Sequence, residues 1–546
     1  MTTQTHTPVL ISGAGPVGMT LALELASHGV RSTLVDRNPQ TTTFPKMDLT
    51  NIRSMELFHR LGLAPDIRAA GVGPTYSFDV IFAASLAGHE IGRWSLPSVD
   101  GMRATIAERG FEGTQPQEPW QRVMQVEMEA LLMLRCLESE SIEVIRPFEV
   151  TDVAQDPDGV ITTIVSREGD EKRTIRSSYV VGCDGANSAV RQALGISESG
   201  DRGVATLFQV HFRSTDMRAL RAHGQFWHVF FLGRGFAAII AQDEVDTWTV
   251  HQQLFDDTAR LGDLDPMRSL HDTLGRPVEV DALMETSIWR PNVLVADRYR
   301  DGRVFLAGDA AHQVIPTGGY GMNSGIADAV DIGWKLAAVT QGWGGRRLLD
   351  SYEVERQPIA VSNREWSFRH LQVHLQAQGL ADGSLLDADT PEGAACRARL
   401  AEHYERERGE NESWGIELGY RYDESPIIPS EDGEAPEQPW NEYRPTTWPG
   451  SRAPHVSLAS GGSPLDSFRS GFTLVDFSGG GDRLESEAGR IGIPFRRLSL
   501  TDDANARAIY ERDLVLVRPD GHVAWRGDSV PDDAAGLLAR VTGQAA

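Results

Sequence analysis

The chain has 546 residues, 40% of them hydrophobic and 24% charged, enough for two or three domains and in the balance of a globular protein. Its formal charge of −25 argues against nucleic acid and against an anionic membrane surface, because both are bound through surplus Lys and Arg. Three scattered cysteines, Cys136, Cys183 and Cys396, argue against a disulfide framework or a cysteine zinc site, so no metal is expected.

The opening, MTTQTHTPVLISGAG, lacks the basic stretch and apolar run of a signal peptide, and no segment offers the ~20 apolar residues of a membrane span. A cytoplasmic protein is the expectation. In TPVLISGAGPVGMTLALELASHGVRSTLVDR, Val9 to Ile11 predict a strand, MTLALELASHG a helix ending at Gly29, and STLVD a second strand. Gly13, Gly15 and Gly18 complete G-x-G-x-x-G between them, with Pro16 and Val17 inside the motif. Asp36 closes the second strand, at roughly the 20-residue separation of a ribose-binding acid, and Arg37 follows it. Glycines let the backbone approach a pyrophosphate, whose charge the helix start stabilises. The unit predicts dinucleotide binding and leaves FAD and NAD both open.

Further along, FPKMDLTNIRSMELFHRLGL places Lys46 and Asp48 ahead of a helix, and QVEMEALL sets Gln125 and Glu129 one turn apart on another. YVVGCDGANSAVR reads as a strand, then Asp184 and Gly185, then a turn into a helix with Arg191. HVFFLGRGFAAIIAQ and DTWTVHQQLF are β-rich and alternate in part. GDAAHQVIPTGGYGMNSGIADAV joins the apolar strand RVFLA to a long helix, and carries Gly308, Asp309, Pro316, Gly321, Met322 and Asn323. From about residue 420 a Pro- and acid-rich stretch reads as a linker. After it, GFTLVDFS, FRRLSL, DLVLVRPDGHVAWRG and a final helix predict a small α/β module without C-x-x-C, which argues against a redox role.

The glycine turn, the DG segment and the GD segment, in this order and spacing, resemble the class A flavoprotein monooxygenases, the kin of para-hydroxybenzoate hydroxylase and phenol hydroxylase. The resemblance implies an α/β fold: a Rossmann-like FAD-binding domain, a β-sheet substrate domain and a C-terminal thioredoxin-like module. The FAD domain is expected over 1–75, 100–195 and 290–380, the substrate domain over 76–99 and 200–289. A helical segment and linker would fill 381–444, and the module 445–546. All cofactor motifs lie upstream of the module, which is therefore expected to serve packing or dimer contact and to be dispensable for FAD binding.

The resemblance also assigns roles. Asp309, after Gly308, would bond the flavin's ribityl chain, and Gln125 its ribityl or phosphate region. Lys46 replaces an arginine that many relatives place near the phosphates. Backbone N–H groups around Gly321, Met322 and Asn323 would face the pyrimidine edge of the ring, as an oxyanion hole does. Pro316 would border the reaction site. Asp48 falls where phenol hydroxylase-like members carry an acid at the substrate, and a phenol needs such help because its pKa of ~10 leaves it protonated at neutral pH. Tyr320 replaces the glutamine frequent in GGQGMN. A single dinucleotide fingerprint is consistent with relatives that bind NADPH or NADH in a groove. The implied reaction is hydroxylation of a phenolic aromatic compound with O2, through a flavin hydroperoxide. A Baeyer–Villiger or epoxidising oxygenase on a polycyclic polyketide stays open, as does an FAD-binding dehydrogenase or ligand-sequestering protein.

Overall fold

The computed structural model describes residues 5–86, 88–217, 223–233 and 236–544. The cofactor-binding body is built on an eight-stranded sheet. Its strand Thr5–Ser12 runs parallel to Lys172–Gly182 on one side and to Ser32–Val35 on the other; Val304–Leu306 and Ile142–Ile145 continue outward. Both faces of a parallel sheet are covered, so its strands are apolar throughout rather than alternating. Val9, Leu10 and Ile11 are accordingly all fully buried. The helices Pro16–Ser27 and Tyr320–Thr340 pack against each other, and most of the first is buried, its Glu24 paired with His28 and Arg60. The first and third sequence motifs are thereby brought together across some 300 residues.

The second body is a seven-stranded sheet whose order mixes two stretches of chain. Ala282–Trp289 lies at one edge, then Thr206–Arg213, Thr247–Leu254, Ala237–Ala241, His228–Phe231, Val80–Ala83 and Glu90–Trp94. Alternation decides its two faces. Phe208, Val210, Val229, Ile239 and Val250 fill a core under the helix Pro266–Leu274. Phe82, Trp94 and Phe230 point the other way, against Trp227, Val373 and Tyr404.

At the C-terminus, Phe472–Asp476 pairs parallel with Phe495–Ser499 and antiparallel with Leu514–Val517, which pairs with Val523–Gly527. The module's separateness ends there. Arg518 is fully buried against Glu355 and Asp331 of the cofactor-binding body, and Arg452 against Glu56. The stretch read as a linker is also packed: Tyr422 and Ile427 are buried between the two parts and Tyr443 against the substrate sheet, so its prolines and acids mark turns rather than a solvent tether. No described helix is long and apolar enough to cross a membrane, and no group of His, Cys, Asp and Glu suited to a metal is found among the described residues.

Candidate cofactor and substrate site

The three glycines of the first motif do different work. Gly13 adopts φ +103°, and a methyl there would lie 2.3 Å from the carbonyl oxygen of Cys183, so the first motif rests directly on the DG segment. A methyl on Gly18 would lie 1.9 Å from the carbonyl oxygen of Gly13. Gly15 has nothing within 4 Å. It opens the helix Pro16–Ser27, whose start carries no side-chain cap. Uncapped N–H groups facing open space form an anion cradle, and a phosphate of FAD fits there. Val17 is the peg that joins this turn to the third motif: a methyl on Gly325 would lie 2.5 Å from it, and one on Gly308 2.9 Å.

Asp36 sits at the rim of the cradle. Its Oδ2 accepts from the Ala14 N–H at 2.7 Å and its Oδ1 from the Asn38 N–H at 2.7 Å. Arg37 stands on the surface, 4.0 Å from Glu149. Asp184 accepts from the Ser188 hydroxyl at 2.5 Å and the Ala189 N–H at 2.8 Å, so its carboxylate closes the start of the helix Ala189–Ala193. Arg191 on that helix donates to the Ala310 carbonyl at 2.9 Å, tying the second motif to the third.

In the third motif Gly308 has φ +61°, and its N–H donates to Asp328 at 3.1 Å. Asp328 also accepts from Arg356 at 2.8 Å and bonds His312 at 2.7 Å. Burial would raise its carboxyl, but His312 and Arg356 overcome that and hold it at about 2. The sequence signal for this anchor is an acid in a mostly apolar helix that also carries Asp331 and Lys335. Asp309, by contrast, is exposed between buried Gly308 and Ala310. Protein crowded around it pushes its carboxyl above the ordinary range against the opposing charges of His312 and Lys46. A group both crowded and reachable by solvent lies on the floor of a cleft, not on an outer surface. Lys46, exposed, reaches this cleft from the loop before Asp48.

The helix Tyr320–Thr340 begins at Gly319, φ +66°, with no side-chain cap and no acid in its first turn. Gly321 and Met322 are half-buried there. Asn323 turns its side chain away from the helix start: its oxygen accepts from the Asn51 N–H at 3.0 Å, and its nitrogen donates to the Leu49 and Gly319 carbonyls. Only its backbone is left for a ligand. Pro316 is exposed, and its carbonyl accepts from the Gly319 N–H. Tyr320 is buried and its hydroxyl bonds His370 and Ser413, so it braces the loop from behind. Gln125 donates to Glu129 at 2.7 Å, and Glu129 accepts from the Thr42 N–H, which fixes the 42–47 loop beside the cleft.

Asp48 is buried, not a free loop acid. Its Oδ2 accepts from the Trp227 indole at 2.7 Å and from Arg122 at 3.3 Å. Arg122 is fully buried among Tyr76, Phe78 and Trp227, each ring 5.6–5.9 Å away. Burial raises the Asp48 carboxyl and lowers the Arg122 guanidinium from their usual values. Arginine starts so high that it stays charged, so Asp48 faces a permanent cation. The pair joins the cofactor-binding body to the seven-stranded sheet. Sequence reading singled out neither Arg122 nor Trp227.

Residues 6–367 match the family "FAD binding domain", and residues 446–545 match "Aromatic-ring hydroxylase, C-terminal". The FAD-dependent monooxygenase apdD of Emericella nidulans is 40% identical, over 98% of this chain and 90% of its own. The solved structure of K252c-soaked RebC superposes with a TM-score of 0.88 at 33% identity, covering 100% of both chains. The flavin-dependent monooxygenase PieE, solved with FAD and substrate, gives 0.88 at 31% identity over 99% of each chain.

Proposed function

The chain belongs to the FAD-dependent aromatic-ring hydroxylases, flavoprotein monooxygenases that use NAD(P)H, and on that premise we propose that it hydroxylates a phenolic ring held between the third motif and the seven-stranded sheet. The observation that carries the reading is convergence. Gly308 and Gly325 both meet Val17 of the first motif, Asp309 follows Gly308, Asn323 bonds the backbone of Leu49 and Asn51 just past Asp48, and Asp48 pairs with Arg122 among the rings of Tyr76, Phe78 and Trp227. Bound FAD supplies the redox chemistry that draws electrons from NAD(P)H and activates O2.

The chain's own groups do the rest. Asp309 accepts hydrogen bonds from the cofactor's hydroxyls, and the N–H groups at 320–322 offer positive potential to the ring's electron-rich edge. Asp48 keeps Oδ1 outside its bonds to Arg122 and Trp227, and that oxygen takes the phenolic proton as the ring donates electron density. Pro316 and the exposed backbone around it border the reacting ring. The C-terminal module is read as thioredoxin-like, a reading supported by its parallel pair continued by two antiparallel strands, and it serves as a structural brace.

The experiment is a screen of phenols against FAD-loaded protein, following NAD(P)H loss and product mass together. At least one phenol is expected to stimulate NAD(P)H oxidation and gain one oxygen. Stimulation by none, with FAD retained, counts for the dehydrogenase or sequestering alternative. Asp48→Asn is expected to keep FAD and substrate while slowing hydroxylation by about 10²–10⁴ and releasing more peroxide per NAD(P)H; unchanged hydroxylation removes Asp48 from the reaction.

A further inference from the structure

Six buried polar atoms at or beside one wall of the substrate sheet lack a hydrogen-bond partner: Gln209 Nε2, His228 Nε2, Gln242 Oε1, His251 Nδ1, Trp289 Nε1 and Arg122 Nη1. Strand register shows why five of them share a face. Gln209 stands opposite both His251 and Ser287, and His251 opposite Ala238, which stands opposite Phe230. Trp289 stands opposite Leu207, two residues from Gln209, and its ring meets His251 edge-on at 5.7 Å. His228 and Gln242 have the same parity on their strands. The alternate residues Phe208, Val210 and Val250 fill the opposite core.

This wall touches the cofactor motifs at both ends. Trp227, next to His228, bonds Asp48, and Asn292, just past Trp289, donates to Gln313 in the third motif. An unpartnered buried polar group costs about 1–3 kcal/mol, and native interiors hold few of them. Other such atoms are scattered through the described residues, among them His28 Nδ1, Tyr299 OH and both His522 nitrogens, whereas five share this one sheet face, as a surface completed by a ligand would.

We propose that Gln209, His251 and Trp289, together with His228, bind the oxygenated end of an uncharged aromatic substrate carrying at least two ring oxygens, and thereby decide which phenols the enzyme accepts. The inference rests on reading the cleft as the substrate site. The glutamine amide nitrogen and the indole are donors only, and a neutral imidazole offers one donor and one acceptor. Burial keeps both imidazoles neutral, pushing His228 down to about 3 and His251 to about 4. Arg122 keeps Nη1 unpartnered, but its charge already faces Asp48, as that of Arg213 faces Asp246. A substrate carboxylate would lose its hydration there without gaining a counterion, whereas carbonyl and hydroxyl oxygens would gain the missing bonds.

The test uses FAD-loaded protein and equilibrium dialysis with three probes: a dihydroxyanthraquinone, its monocarboxylic acid, and a hydroxyanthracene of the same ring count. The neutral quinone is expected to bind at least about tenfold tighter than either of the others, a difference of about 1.4 kcal/mol. The double variant Gln209→Leu, His251→Leu is expected to lose the preference over hydroxyanthracene, and His251→Asn, whose amide nitrogen can take the Nδ1 position, to restore part of it. Equal binding of acid and neutral quinone overturns the proposal, as does a preference that survives the double variant. Loss of hydroxyanthracene binding in the variants also overturns it, by making the residues structural. If the double variant does not hold FAD, the wild-type ranking of the three probes decides alone. Product formed from any phenol preserves the hydroxylase reading even when this inference fails; no product from any phenol defeats the reading beneath it.

Discussion

The seam under the C-terminal module and the inner wall of the substrate sheet both bury polar side chains, and they differ in kind: the seam pairs opposite charges, whereas the wall carries neutral groups with unpartnered atoms. At the seam, Arg518 grips Glu355 with both terminal nitrogens, at 2.8 and 2.9 Å, and reaches Asp331 and Asp520 as well. Lys335 lies 2.6 Å from both Asp331 and Glu355, and Ser425 donates to Glu355. Burial would raise the Glu355 carboxyl, yet Arg518 and Lys335 hold it at about 2. On the sheet wall, Gln209, His251 and Trp289 each keep a buried atom unpartnered. The contrast separates two uses of buried polarity. Paired charges hold parts of the chain together; the neutral groups of the wall are the ones proposed above to meet a ligand.

The largest expected effect strikes the seam. Arg518→Met takes the guanidinium from Asp520 and leaves Glu355 and Asp331 to share Lys335 alone, which should cost about 3–5 kcal/mol in denaturant unfolding. Deleting the module should do at least as much harm, so the expectation that it is dispensable for FAD binding gives way to a brace on the helices that carry Asp331, Lys335 and Glu355. A truncated protein that unfolds with wild-type stability would break the comparison at its strongest point.

Asp309→Ala comes next. It removes a charged acceptor from the cleft floor and should weaken FAD retention by about 1.5–3 kcal/mol while leaving the unfolding midpoint of the cofactor-free protein near wild type. Unchanged FAD affinity with lost stability would move Asp309 into the structural class.

Acid should act on the satisfied group first. Asp328 and Glu410 are both held down at about 2. Folded values below the ordinary range mean stability that is fully present above about pH 4.5 and lost as pH falls toward 2, about 2–3 kcal/mol for each group. Unfolding followed from pH 6 to pH 2 checks this. A flat profile would show that these pairs do not form.

The smallest effect sharpens the other side. Gln209→Leu removes an unpartnered buried amide, so unfolding stability should stay within about 1 kcal/mol of wild type or rise. A loss as large as that of Arg518→Met would place Gln209 among the structural groups.

Sequence alone made the cofactor half of the site legible because its constraints are local and severe. Gly13 at φ +103° and Gly308 at φ +61° hold conformations that other residues rarely adopt, and Gly18 sits where a methyl would strike backbone. The substrate half was much less legible. Asp48 was visible as an acid at a suggestive position, but what governs it lies 74 residues away in Arg122 and 179 away in Trp227. The Asp184 carboxylate closes a helix start four residues on, a bond the DG turn alone did not reveal. The sheet wall depends on the register of strands from 206 to 289, and a shift of one residue would reverse which side chains face the cleft. The 420–444 stretch misled as a linker because prolines and acids serve turns whether or not the apolar residues between them are buried.

The central claim is that this cleft transfers one atom of dioxygen to an aromatic ring. Its most direct test is turnover of FAD-loaded protein with NAD(P)H and an accepted phenol under isotope-labelled O2, followed by mass spectrometry of the product. The account predicts one labelled oxygen per product molecule, with the label coming from O2 and none from labelled water. Product lacking the label, or NAD(P)H consumed with peroxide as the sole oxygen product from every phenol offered, would contradict it.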